Sequence, residues 1–61
     1  MKKFLFVSKF VADSFADDVL GRVEYVSPEY LGYGCWAVSA PEAFLGHARY
    51  FYDWAFIGFM D

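Results

Sequence analysis

The hydrophobic period changes along the chain, and each change marks an element. Residues 3 to 7, "KFLFV", are aromatic and β-branched enough for a strand buried on both faces. From Val11 the repeat turns helical. At about 100° per residue, Val11, Ala12, Phe15, Ala16, Val19 and Leu20 fall on one half of a helical wheel, and Asp13, Ser14, Asp17 and Asp18 on the other. Gly21 supplies a natural stop. A rival pattern makes 3 to 11 one long strand and 13 to 18 a capped turn, and the acidic pair near the helix end favours it by opposing the macrodipole. The helix matches the period better and is preferred.

"RVEYVS", residues 22 to 27, alternates polar and apolar like a half-buried strand, and Pro28 ends it. "PEYLGYG", residues 28 to 34, carries a proline and two glycines and is predicted to be a loop. "CWAVSA", residues 35 to 40, returns to strand. Ser39 with Glu42 then forms a capping-box pattern, with Pro41 in the first turn, and predicts a long final helix. On that helix Glu42, Gly46, Arg49 and Asp53 make one narrow polar stripe, opposite Phe44, Ala48, Phe51 and Ala55, which should face the sheet. Leu45, Tyr52 and Phe56 flank one side, and Ala43, Tyr50, Trp54 and Ile57 the other. So wide an apolar arc exceeds what one small sheet covers, so a residual aromatic patch is expected on the flank.

The predicted order is β-α-β-β-α, or β-β-β-α if the first helix fails. Both describe one α+β domain over residues 1 to 61, an antiparallel-type sheet with a long aromatic-rich C-terminal helix across one face.

Composition sharpens this. The chain is 59% hydrophobic and 25% aromatic, above the usual apolar share of about 45 to 50%, which argues against disorder. At 61 residues the expected stability is only roughly 3 to 9 kcal/mol. Cys35 is the only cysteine and His47 the only histidine, so an intrachain disulfide and a closed Cys/His zinc site are both excluded. No cofactor is expected. A net charge of −3 with five Lys+Arg leaves no basic footprint for direct nucleic-acid binding. "MKKFLFVS" imitates a secretory signal, but its apolar core is shorter than the about 7 to 15 residues required. No run approaches the roughly 18 to 20 residues of a membrane span. With a free thiol, these features predict a cytoplasmic protein without stable membrane association.

Local likenesses fall short of chemistry. "GRVEYVSPEYL" resembles the end of a protein-kinase activation segment, "APEAFLG" repeats its Ala-Pro-Glu feature, "DWAFIG" is similar to a later kinase run, and "VADSFA" faintly resembles the Asp-Phe-Gly context. No His-Arg-Asp loop, Gly-rich loop or strand lysine accompanies them, and Asp13 is followed by Ser14 and Phe15. The Pro-Glu pairs read as turn and helix-start chemistry. "GYG", residues 32 to 34, is similar to a potassium filter but has no flanking spans, and reads as a tight or flexible loop. Cys35 reads as a small buried hydrophobe and His47 as a partly buried structural histidine.

No catalytic set emerges, and the expected role is a non-enzymatic binding module. Its surface is expected at Arg49, Tyr50, Trp54 and Ile57, with the loop rings Tyr30, Tyr33 and Trp36, because interface hot spots favour Trp, Tyr and Arg. The expected partner is a larger protein or complex that this chain inhibits or modulates, as small phage and mobile-element proteins do. Three alternatives remain: an acidic nucleic-acid mimic built on Asp13, Asp17 and Asp18, a homodimer joined through the aromatic patch, and an aromatic end resting on a membrane surface.

Overall fold

Ser8 separates the first strand from the first helix. Its backbone is extended, and its Oγ accepts from the Val11 N–H at 3.4 Å, which caps the helix that begins at Lys9. In the computed structural model, which describes residues 1–21 and 27–60, the elements are β1 (Lys2–Phe6), α1 (Lys9–Leu20), β2 (Glu29–Gly32), β3 (Cys35–Ala40), a 3-10 turn (Glu42–Phe44), α2 (Leu45–Tyr52) and β4 (Phe56–Met60). The four strands form one antiparallel sheet in the order β2-β3-β1-β4. The α+β class expected from the sequence is therefore present.

Alternation in β1 decides which face is covered. Phe4 and Phe6 are fully buried and meet Phe15 of α1 with ring centroids 5.0 and 5.1 Å apart. Phe59 stacks on Phe4 and Phe56 tilts against Phe6, both at 5.5 Å. Val38 and Ala40 continue this layer on β3, and Val11, Ala12, Phe15 and Ala16 close it from above. These four helix residues are the buried side the wheel predicts, so the rival long strand over 3 to 11 is excluded. Gly21 ends α1 at φ 71, where its N–H returns to the Asp17 carbonyl.

The expectation that β1 is buried on both faces is corrected: Leu5, on the opposite face, is only half-buried. On that face Lys3 of β1 reaches across β3 to Glu29 of β2, with 3.4 Å between Nζ and Oε1.

The predicted loop over 28 to 34 contains a strand. Tyr30 pairs with Trp36, Gly32 pairs with Cys35, and Tyr33 and Gly34 turn between them. The proline and glycines punctuate the ends of β2, and its two β-favouring residues, Tyr30 and Leu31, lie between them. The strand predicted over 22 to 27 falls mainly on residues 22–26, outside the described residues; Ser27 itself is not in a strand.

The long final helix is also corrected. Helical structure stops at Tyr52, and Phe56–Met60 pairs with β1 instead. Helix wheels score only the helix's own faces, whereas β1 offers an edge that an apolar, ring-rich segment satisfies with backbone hydrogen bonds. The capping box does not form either. Pro41 occupies the cap without a side-chain bond, and Ser39 remains in β3. Finally, Phe51 is 56% exposed instead of facing the sheet. The buried side of α2 is rotated towards Tyr52, whose ring stands edge-on to Phe6 and Phe15.

Candidate functional site

Three connections meet at one end of the sheet. β1 ends there at Phe6, opposite Trp36, β3 begins at Cys35, β4 begins at Phe56, and the turn between β2 and β3 lies at the same end. The connection after β1 is bonded to the one before β4, since the Val7 N–H donates to the Ala55 carbonyl at 3.0 Å. The Ala55 N–H in turn donates to the Tyr52 carbonyl at 2.9 Å and closes the tight turn out of α2.

Each connection carries large apolar side chains in solvent. Tyr33 at the hairpin tip is 107% exposed, Phe10 in the first turn of α1 is 78% exposed, and Trp54 in the turn after α2 is 74% exposed. Val7 and Ile57 are exposed beside them. Together they form an apolar rim across the end of a four-stranded sheet, a span of about 15 Å at the usual strand spacing. Single exposed hydrophobes need no explanation; a set gathered on adjoining loops does.

Tyr33 adds a second signal. It is the one non-glycine among the described residues with positive φ, at 55°. With Gly34 at φ 73 it makes the two-residue turn that both central positions must enter with positive φ. Asn or Gly takes that conformation readily, whereas a bulky ring resists it. A fully exposed tyrosine thus stands where local chemistry favours a smaller residue.

Behind the tip, Tyr30 and Trp36 pack as a cross-strand pair with centroids 4.6 Å apart. The Tyr30 hydroxyl accepts from the Gly34 N–H at 3.2 Å, which braces the turn. Lys9 Nζ lies 5.9 Å from the Trp36 ring centre and places a cation in the middle of the rim.

The expected surface residues thus divide. Trp54 and Ile57 join the rim at the β4 side, while Tyr30, Tyr33 and Trp36 join it at the β2 side. Arg49 and Tyr50 lie earlier on α2, and the Tyr50 ring stands edge-on to Phe51 at 4.7 Å. The sequence reading missed Val7 and Phe10. Phe10 precedes the first residue of the helical wheel, and Ser8 as cap is the signal that would have brought it into the helix.

The three aspartates do not act as one open face. Asp13 accepts from Lys9 at 3.0 Å. Asp18 accepts from the Tyr52 hydroxyl, and His47 Nε2 stands 3.6 Å from the same carboxylate oxygen. Asp17 is exposed. Partial burial, the bond to Asp18 and the charges of Asp18 and Asp17 push the Tyr52 hydroxyl up to about 12 from 10.0.

At the opposite end of the sheet Met1, Leu20, Ser27, Glu29, Ala37, Val38 and Ser39 line a cavity of ≈ 290 Å³. Among the described residues that line it, Glu29 is the one carboxylate, and Lys3 engages it. No group of three or more His, Cys, Asp or Glu side chains among the described residues is arranged to hold a metal ion. No described helix is long and apolar enough to cross a membrane. No known protein family matches this chain, and no curated protein or solved structure is significantly similar to it.

Proposed function

We propose that this chain is a non-enzymatic protein-binding module that docks on a larger protein through the apolar rim and acts as an inhibitor or modulator by occupying a site there. The observation that carries this reading is the exposure of Tyr33 on the hairpin, Phe10 in the first turn of α1 and Trp54 in the turn before β4, all at one end of the sheet. Tyrosine and tryptophan bring large contact area for little lost side-chain freedom. The acidic-mimic reading has less support, because Asp13 and Asp18 already serve contacts within the fold.

The test immobilises the protein, exposes it to a lysate of its native host and identifies what is retained by mass spectrometry. The same capture is run with a folded Phe10→Ala/Trp54→Ala variant and with Asp17→Asn. A partner held by the parent chain and by Asp17→Asn, but lost by the rim variant, supports the rim. A partner indifferent to the rim variant and lost with Asp17→Asn overturns it.

A further inference from the structure

β4 forms one border of the sheet, and no described strand pairs with its outer edge. An edge strand presents unpaired N–H and C=O groups that template pairing with another chain, and proteins usually blunt such edges with lysine, proline or a covering element. "FIGFM", the sequence of β4, has neither lysine nor proline and carries no charge; its one irregularity, a bulge at Ile57 in the pairing with β1, leaves Gly58 to Met60 in regular register. Ile57 and Met60 are exposed on it.

The ground beside this edge is charged in a particular way. Arg49 and Asp53 line a shallow groove with Phe56, Ile57, Gly58 and Phe59. They are four residues apart, a spacing at which opposite charges on a helix commonly pair. Neither makes an ion pair among the described residues.

From these observations we infer that β4 pairs antiparallel with β4 of a second copy of this chain, about a two-fold axis near Gly58. The two four-stranded sheets then become one continuous sheet. The two-fold reverses the second copy, so the two α2 helices run antiparallel side by side above the seam. Arg49 of each copy then meets Asp53 of the other, as an isologous interface requires. Strands about 4.8 Å apart and helices about 8 to 10 Å apart leave a separation that an arginine side chain bridges. An unrelated extended peptide satisfies the strand edge but does not bring this charge pair; a second copy brings both. The same two-fold points the two rims in opposite directions, so the dimer carries one docking rim at each end.

The test is sedimentation equilibrium of the full chain over a range of concentrations. A monomer–dimer equilibrium is expected. Met60→Lys, a charge placed on the exposed edge, is expected to weaken the dimer by about 100-fold while leaving far-UV circular dichroism unchanged. Arg49→Asp sets like charges across the seam and is expected to weaken it by about tenfold, and Arg49→Asp combined with Asp53→Arg restores it. Phe10→Ala, in the docking rim and away from β4, leaves the dimer intact, which separates this seam from partner docking. A chain that stays monomeric at all concentrations, or a dimer of equal strength in Met60→Lys and Arg49→Asp, overturns the inference.

Discussion

The Tyr52 hydroxyl donates a hydrogen bond to the Asp18 carboxylate and so ties α2 to the far half of α1. The tyrosine ring lies edge-on to Phe6 and Phe15, which makes Tyr52 a core side chain with a polar tip at the surface. The fold holds this hydroxyl protonated up to about pH 12, whereas the unfolded chain releases the proton near 10.0. Between those values the unfolded state loses a proton that the folded state keeps, so stability is fully present below pH 10 and falls as pH rises towards 12. Denaturant midpoints measured from pH 9 to 12 should show this decline. Tyr52→Phe should remove the part of the decline due to this group, and should lower stability at neutral pH by about 1 kcal/mol.

Phe15 and Phe51 should respond in opposite ways. Phe15 touches both buried rings of β1 and is fully buried itself. Phe15→Ala should cost about 3 to 5 kcal/mol, comparable with the whole stability of so small a domain, and leave the chain largely unfolded by circular dichroism. Phe51 lies in solvent against His47 and Tyr50. Phe51→Ala should change stability by less than about 1 kcal/mol.

Tyr33→Asn should stabilise the protein and impair it together. Asparagine enters positive φ more easily than tyrosine, and Asn-Gly is the favoured pair for this turn. A gain of about 1 kcal/mol is expected, seen as a Tm higher by about 4 to 8 °C. Partner affinity should fall in the same variant. A rise in Tm with undiminished affinity would remove Tyr33 from the rim.

Phe10→Ala and Trp54→Ala should each leave circular dichroism and melting almost unchanged and weaken the partner by about 2 kcal/mol. Tyr50→Ala tests how far the surface extends along α2. A smaller loss there than at Trp54 places the centre of the contact at the sheet end. Raising salt should alter the affinity only modestly, because the rim is mainly apolar; steep salt dependence would point to the acidic side of α1.

How much of this was legible in the sequence depended on whether each element's neighbours lay in its own segment. The wheel from Val11 to Leu20 held because one face of α1 packs on one layer of rings and the other meets water. Cys35–Ala40 held for the same reason as a strand. The segment from Phe56 to Met60 failed because its partner, β1, lies at the other end of the chain, and a local period carries no information about a distant free edge. Phe51 and Tyr52 exchanged roles because the rings that receive Tyr52, Phe6 and Phe15, lie in distant elements, as does its hydrogen-bond partner Asp18. Of the proposed rim, the exposure of Trp54 was legible from its flank position on the wheel. The rim's continuity was not, since only the strand order brings the three connections to one end.

The pairing of Lys3 with Met60 also fixes when the fold can be completed. β1 is an inner strand of the sheet, yet the neighbour on one of its sides is synthesised after every other described element. During translation β1, α1 and the hairpin of β2 and β3 can assemble around Phe15, but Phe4 and Phe6 lack the cover of Phe59 and Phe56 until β4 clears the ribosome. The sheet therefore closes late and over a long sequence separation, the kind of contact that slows folding. A nascent chain stalled with Phe56–Met60 still inside the exit tunnel should remain sensitive to protease, and release of those few residues should make it resistant.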